Sequence, residues 1–288
     1  MKWPTSAELV YVGTSGWQYR DWRNAVYPTD VPQREWLEWY CRHFRTVELN
    51  NSFYRLPEAS VFRKWRERTP DGFVMAVKMS RFLTHIKKLD EPAEPVHRFI
   101  ARASELGPRL GPILVQLPPR FEAVPERLGE MLGLFPRHLR VAVEFRDPSW
   151  FITEVRTILE KHAAAFVLAD SPRRRQPDWR TADWGFVRFH EGLGTPRPCY
   201  EERALRTWAR RLAEMFKPAE DVYVYFNNDH HGGAVRDAVD FAHLCRESGL
   251  EPTPVTASVR VGGTRGADWS SLRVIGTPSP LPERLSVR

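Results

Sequence analysis

The sequence predicts one α/β domain, a (β/α)8 TIM-type barrel over residues 1–276, followed by a loose C-terminal tail at residues 277–288. Eight short apolar runs recur along the chain, and each ends in polar residues. Helical patterns separate most of these runs, and a length of 288 residues suits one barrel of ordinary size. Strands that alternate with helices pair in parallel through right-handed crossovers. Eight such units close more naturally into a barrel than into an open sheet.

The predicted strands are short runs rich in apolar and β-branched residues, a composition typical of parallel strands that are buried on both faces. In chain order they occupy residues 9–13, 46–49, 73–78, 112–117, 140–145, 165–169, 185–190 and 222–226.

The predicted helices place apolar side chains three and four positions apart, as Leu37, Tyr40 and Phe44 do in the first of them. The link at residues 171–184 contains Pro and Arg but no convincing helical pattern, so it is predicted to be a loop. The helical patterns cover residues 34–44, a segment that opens at residue 57, and residues 95–106, 125–134, 151–161, 202–216 and 234–248.

An open, doubly wound parallel sheet is the alternative fold. Sheets of that kind that bind dinucleotides carry a G-x-G-x-x-G turn after the first strand. Here the glycines that follow the first strand, Gly13 and Gly16, have a different spacing. The barrel is therefore the preferred prediction.

Composition indicates the cellular compartment in which the protein acts. No apolar stretch reaches the length of a membrane span, so no membrane partner is expected. The first four residues lack the apolar core of a signal peptide. The cysteines are Cys41, Cys199 and Cys245, an odd and widely spaced set that fits buried thiols in a reducing compartment. We expect a cytoplasmic protein.

A net charge of +7 makes DNA, RNA or another polyanion a candidate partner. Much of the excess is arginine on predicted helix faces, which are usually solvated. One cluster differs, because Arg173, Arg174, Arg175 and Arg180 follow the sixth strand, on the face where barrel active sites lie. Phosphate attraction and ordinary solvation are equally good interpretations of this loop.

Strand parity predicts which side chains enter the barrel, because alternate residues of a strand point to opposite faces. Glu48 and Glu144 each lie between apolar residues that suit the outer face, and both are predicted to point inward. Asp170 is taken as the matching residue of the sixth strand. The other residues predicted to face inward near the strand ends are Asn50, Ser52, Lys78, Gln116, Arg146, Arg188, His190, Tyr225 and Asn227.

Three acids of this set therefore meet three bases at one end of the lumen. Any one of them could be an internal ion pair that fills the barrel mouth. Replacing buried ion pairs by apolar packing is often neutral or stabilising, so six converging charges are better explained by a ligand. The candidate catalytic residues are Glu48, Lys78, Glu144, Asp170 and His190.

Aromatic side chains follow the first two strands, where Trp17, Tyr19 and Tyr54 could stack on a sugar or a nucleobase. Packing over the barrel rim is an equally good interpretation for each ring. The candidate ligand-binding residues are Trp17, Tyr19, Asn50, Tyr54, Gln116, Arg146, Arg188, Tyr225, Asn227 and Asn228.

Six motifs at strand ends together resemble the YecE-like family of domains of unknown function, the seventy-second such family. They occur in order between about Val10 and Leu244. The resemblance implies a TIM-type barrel similar in shape to endonuclease IV and to xylose-isomerase-like enzymes, an analogy of fold that transfers no function. The motifs are Gly13-Thr14-Ser15-Gly16-Trp17-x-Tyr19-x-x-Trp22, Glu48-Leu49-Asn50-x-x-Phe53-Tyr54-x-x-Pro57, Val77-Lys78 with Thr84-His85, Gln116-Leu117-Pro118-Pro119-x-Phe121, Glu144-Phe145-Arg146-x-x-Ser149-Trp150 and Tyr225-Phe226-Asn227-Asn228-Asp229.

The leading functional hypothesis is a hydrolase-like enzyme that acts on a phosphate-containing or nucleic-acid substrate, as a phosphodiesterase or nuclease does. The three acids would supply acid, base or metal-binding carboxylates, and His190 would transfer protons. Lys78, Arg146 and Arg188 would neutralise phosphate charge. A divalent metal is a candidate cofactor, but no ligand set is assigned, because the histidines are few and suit structural roles.

Two alternatives belong to other classes. A carbohydrate-active enzyme, an isomerase or a glycosidase, would use Glu48 and Glu144. In a variant of that hypothesis, a Lys78 of lowered pKa attacks carbonyls, although its proximity to acids favours a charged anchor. A non-catalytic barrel would instead hold an anionic ligand through Arg146, Arg188 and the Asn227-Asn228 pair. Neither the substrate nor the oligomeric state is fixed by these patterns.

Overall fold

A computed structural model describes residues 10–172, 175–195, 197–217, 220–230 and 232–256. Eight parallel strands close into a barrel in chain order, with β8 pairing back onto β1, which confirms the predicted fold. Arg173, Arg174, His231 and the predicted tail lie outside the described residues. The strands are β1 (Val10–Thr14), β2 (Thr46–Leu49), β3 (Val74–Lys78), β4 (Leu110–Gln116), β5 (Val141–Glu144), β6 (Ala165–Asp170), β7 (Gly185–Phe189) and β8 (Val222–Phe226).

The helices cover the outside of the barrel at the predicted places, and the described part of the link between β6 and β7 contains no helix, as expected. A π-helical turn at Phe82–Ile86 follows β3. Among the described residues, no helix has both the length and the apolar character that a bilayer span requires. The helices are α1 (Trp36–His43), α2 (Asn51–Tyr54), α3 (Ala59–Glu67), α4 (Ala93–Ala103), α5 (Pro125–Gly133), α6 (Thr153–Lys161), α7 (Glu202–Met215) and α8 (Gly233–Glu247).

Two apolar cores hold the barrel. The larger lies between strands and helices, and the smaller fills the lumen with side chains such as Ala76, Leu114 and Phe186. At the amino ends of the strands, Arg140 donates to Asp221 Oδ2 at 2.6 Å and to the Tyr223 hydroxyl at 2.8 Å. These side chains occupy the lumen at the amino ends of the strands, so a ligand site is expected at the carboxyl ends.

Gly13 allows β1 and β2 to approach closely. A Cβ atom at this position would lie 2.4 Å from the carbonyl oxygen of Thr46, closer than atoms in real structures come. Gly13 of the first motif is therefore required for the close packing of these two strands.

The placement of Asp170 in the lumen was wrong. In β6 the residues that enter the inner core are Ala165, Val167 and Ala169, so Asp170 points outward. There its carboxyl accepts hydrogen bonds from Tyr200 and Trp208. Because β6 is apolar on both faces, its sequence does not show which parity faces inward.

Candidate functional site

A cavity of about 670 Å³ opens at the carboxyl ends of the strands. Its wall is formed by strand ends and by the segments that follow β1, β2 and β3. Most of the predicted ligand-binding residues line it. They are Trp17, Tyr19, Asn50, Tyr54, Gln116, Arg146 and Asn227, together with the predicted catalytic Lys78.

A fully buried ion network lies beneath the cavity, with Arg188 between two carboxylates. Its Nη2 donates to Glu48 Oε1 at 2.7 Å, and its Nη1 donates to Glu144 Oε2 at 2.6 Å. The side chain of Arg188 is 1% exposed and both carboxylates are 0% exposed. The planar guanidinium directs one terminal nitrogen at each carboxylate in a fixed geometry. Arg188, Glu48 and Glu144 therefore form the floor of the site.

Glu144 remains ionised within this floor. Burial would raise the pKa of its carboxyl, but His190 and Arg188, with Arg146 in addition, hold that pKa well below its ordinary value. Its Oε1 accepts from Arg146 Nε at 3.0 Å and lies 3.1 Å from His190 Nε2. A carboxylate stabilised in this way does not donate a proton near neutral pH.

His190 is held in one orientation by two partners. Asn227 Nδ2 lies 3.2 Å from its Nδ1, and since the amide nitrogen donates, Nδ1 accepts and Nε2 carries the proton toward Glu144. Burial lowers the pKa of His190, and Glu144 opposes the shift. This histidine is a neutral link between the floor and Asn227.

Lys78 is held in the cavity wall by a side-chain amide and an aromatic ring. Its Nζ donates to Gln116 Oε1 at 2.9 Å and lies 4.2 Å from the ring centroid of Phe53, and it makes no salt bridge with a described residue. Burial lowers the pKa of Lys78 to about 8; Arg188 acts in the same direction, and Glu48 and Glu144 oppose it. The acids are already engaged by Arg188, so proximity to them does not keep Lys78 fully charged.

Two residues that no predicted set contained also line the cavity: Arg81, directly before the π-helical turn that follows β3, and His85, within that turn. Burial, with Lys78 and then Arg146, lowers the pKa of His85 to about 4, so this imidazole is neutral at pH 7. Its Nδ1 lies 2.9 Å from Thr84 Oγ1. Thr84-His85 was visible as a motif, but only the turn brings its imidazole to the cavity. Such turns often occur at functional sites.

Two acceptors of the cavity wall, Ser15 Oγ and Asn50 Oδ1, are buried and have no hydrogen-bond partner among the described residues. The amide nitrogen of Asn50 donates to the Ser15 carbonyl at 3.2 Å, which fixes the orientation of the side chain. Buried acceptors without partners are costly, so these two atoms suit donors on a ligand.

Two predicted ligand-binding residues lie elsewhere. The Tyr225 ring is fully buried in the lumen, with its hydroxyl 2.6 Å from Thr46 Oγ1. Asn228 is buried toward α8, where its Nδ2 donates to Asp237 Oδ2 at 2.7 Å. The first lies too deep along its strand, and the second follows the strand end with the opposite parity. Asp170, as described above, is also outside the cavity.

The donor set does not fit a divalent metal. Across the described ranges, no group of three or more His, Cys, Asp or Glu side chains converges in a way that could hold an ion. Glu48 and Glu144 direct oxygens at Arg188, and Glu144 is further bound by Arg146.

Comparison with known proteins covers the whole barrel. A family model described as "Protein of unknown function DUF72" matches residues 11–258. UPF0759 protein YunF of Bacillus subtilis (strain 168) is 26% identical over 283 residues, covering 85% of this chain and 98% of that protein. UPF0759 protein YecE of Escherichia coli (strain K12) is 32% identical over 145 residues, 50% of each chain. The crystal structure of a DUF72 family protein from Thermotoga maritima MSB8 is 30% identical, has a TM-score of 0.74, and covers 83% of this chain and 100% of that one.

Proposed function

This chain belongs to the DUF72 family of proteins of unknown function, and from that premise we propose that it is a hydrolase-like enzyme for a small phosphate-containing, nucleotide-sized substrate. One observation carries the proposal. Lys78, Arg81 and Arg146 line the cavity, and its described lining includes no carboxylate. The accessible surface of the site is thus cationic, because Glu48 and Glu144 are buried beneath it and paired with Arg188 and, for Glu144, also with Arg146.

Arg146 is the best phosphate ligand of the three cations. Its Nε binds Glu144, while its two terminal nitrogens make no hydrogen bond with a described residue. Glu144 therefore orients the guanidinium and leaves its paired donors free, an arrangement that suits phosphate oxygens. Arg81, an exposed residue directly before the π-helical turn, adds a second charge.

The segments after β1 and β2 present the apolar part of the site. Trp17, Tyr19, Phe53 and Tyr54 line the cavity, and Tyr54 is 73% exposed. Rings of this kind stack on the face of a base or a sugar. The unpartnered acceptors of Ser15 and Asn50 would receive hydroxyl or amine donors of the same ligand.

Cavity size favours a small substrate. A volume of about 670 Å³ is within the range of small-molecule pockets, roughly 300–1,000 Å³. Arg180, in the loop for which phosphate attraction and solvation were equally good interpretations, donates to Glu220 and to the carbonyl of Met215. These observations favour a mononucleotide or a sugar phosphate over a duplex.

Proton transfer falls to the titratable groups that line the cavity, Lys78 and His85. Glu48, Glu144 and His190 lie beneath the lining and would position Arg188 and Arg146. This arrangement is unfavourable to the glycosidase alternative, which needs a protonated carboxyl as general acid. Glu144 is ionised and does not supply one.

Calorimetric titration with adenosine 5′-monophosphate and with adenosine tests the proposal. We expect the phosphorylated ligand to bind more tightly, and Arg146→Gln to weaken it by about 1.5–3 kcal/mol, roughly ten- to hundredfold. Arg156→Gln, on the exposed face of α6, is the matched control and leaves binding unchanged. Circular dichroism checks the fold of each variant.

Equal binding of the two ligands, or equal effects of the two arginine variants, would contradict the phosphate assignment. Turnover is measured by release of inorganic phosphate from a panel of nucleotides and sugar phosphates. Binding without release from any member would reject the hydrolase-like reaction and leave a binding barrel.

A further inference from the structure

We propose that Lys78 is a nucleophile that forms an imine with the carbonyl group of a phosphorylated aldehyde or ketone. The phosphate of this substrate class rests on the proposed function, whereas the carbonyl and the covalent step are new. The inference depends on where the amine lies, what it contacts and which charges surround it.

The amine of Lys78 lies where a ligand in the cavity can reach it. Lys78 ends β3 with its side chain in the lumen, and it lines the cavity at the level of Gln116. Gln116 Oε1 is the acceptor of one Nζ proton at 2.9 Å, and Phe53 packs against the amine from another side. The amine is thus fixed in direction and still reachable by a ligand.

Lys78 has no carboxylate partner among the described residues. Arg146 and Arg188 both pair with Glu144, and Arg188 also pairs with Glu48. Lys78 makes no such pair, so removal of its proton breaks no ion pair. A cation that served only to attract phosphate would not require an amine here, since arginines already line or underlie the cavity.

The surroundings of Lys78 favour the neutral form of its amine more than water does. The charged groups around Nζ are Arg188, Arg146, Glu48 and Glu144, with His85 neutral beside them. Burial and Arg188 lower the pKa of Lys78 to about 8, from an ordinary value of 10.5. At pH 7 about 9% of the amine is then neutral, against about 0.03% for an unperturbed lysine. The neutral amine is the form that attacks carbonyls.

The chemistry balances without an oxidant or a reductant. The Nζ lone pair attacks the carbonyl carbon, a C–N bond forms, and the C–O π electrons move to oxygen. One proton passes from nitrogen to that oxygen, for which the neutral imidazole of His85 is an available carrier. The hydroxyl then takes a second proton from solvent and leaves as water, while the nitrogen lone pair forms the C=N bond, so the product is a protonated imine.

Reductive trapping tests the step on the whole protein. Wild type is incubated with D-glyceraldehyde 3-phosphate and sodium borohydride, and peptide mapping by mass spectrometry locates the secondary amine that results. We expect labelling at Lys78 to exceed that at Lys161, an exposed lysine of α6, by at least tenfold. Labelling at Lys78 should be half-maximal near pH 8.

Lys78→Arg keeps the cation and removes the nucleophile, so the specific label should vanish, whereas Lys161→Arg should retain it. Peptide mapping of wild type alone decides the matter if Lys78→Arg does not fold. Equal labelling of Lys78 and Lys161 would overturn the imine.

Two further arms separate this proposal from the proposed function. If unphosphorylated D-glyceraldehyde labels Lys78 as well as its phosphate ester does, the imine stands and the phosphate assignment fails. If calorimetry shows binding of the phosphate ester but no label forms on Lys78 between pH 7 and 9, the phosphate assignment stands and the imine is rejected.

Discussion

Replacing Arg188 by methionine tests the buried network that forms the floor of the cavity. Methionine keeps much of the bulk but removes the guanidinium, whose two nitrogens lie 2.7 Å from Glu48 and 2.6 Å from Glu144. Glu144 retains Arg146 and His190, whereas Glu48 loses its ion-pair partner at zero exposure. Breaking a buried pair from one side costs about 3–5 kcal/mol. We expect a loss of this size in the free energy of unfolding.

Urea unfolding, followed by circular dichroism and by tryptophan fluorescence, measures the effect. The two probes must give coincident transitions before a free energy is assigned. Two comparisons isolate the cause. The Glu48→Gln/Arg188→Met double variant, which removes both charges, should recover to within about 2 kcal/mol of wild type. Arg156→Met, which breaks the exposed pair with Glu160, should cost less than about 1 kcal/mol.

A loss below about 1 kcal/mol for Arg188→Met would refute the reasoning, because it would mean that the carboxylate is solvated or protonated in the folded protein. A double variant as unstable as the single one would also refute it. In that case the packing of the guanidinium, and not the pairing of charge, would hold the floor together.

Three other predictions concern single positions. Nitrogen NMR should show His190 neutral at pH 7 with its proton on Nε2, because its pKa is lowered and Asn227 donates to Nδ1; an imidazolium signal at pH 7 would contradict this. Because the pKa of Glu144 is lower in the folded than in the unfolded protein, its ionisation contributes free energy of unfolding that is fully present above about pH 4.5 and is lost as the pH falls through the folded pKa. The difference in free energy of unfolding between wild type and Glu144→Gln should therefore become smaller below pH 4.5. A difference that stays constant from pH 6 to 3 would exclude a contribution from the ionisation of Glu144. Gly13→Ala should cost about 1–3 kcal/mol in thermal unfolding, since its Cβ would meet a backbone oxygen; an unchanged melting temperature would count against the close strand contact.

The strands were predictable because each is a short apolar run with a clear polar end, and the structure confirms all eight at close to the expected bounds. Parity was readable where one face of a strand carries charge. In β5, Glu144 stands between apolar neighbours, and it enters the lumen as predicted. In β6 both faces are apolar, so alternation gave no guide there, and Asp170, taken as the matching residue of that strand, was misplaced.

The cavity was predictable in part. Lys78, Gln116 and Arg146 follow from strand ends and alternation, and all three line it. Arg81 and His85 do not, because they lie beyond the strand end, Arg81 directly before a π-helical turn and His85 within it, where strand alternation no longer applies.

The sequence by itself determined the barrel and, Asp170 excepted, the inward set of charges, because periodicity and strand ends are local properties that can be recognised from the order of residues alone. Only the tertiary structure decided what those charges do. Arg188 lies 140 residues from Glu48 along the chain and 44 from Glu144, yet it binds both. Arg188, together with Arg146 on Glu144, pairs with the acids beneath the cavity. These pairs leave Lys78 without a carboxylate partner in the described residues and make the accessible surface cationic. Charge state depends on distances and burial between remote residues, and neither is encoded in local spacing.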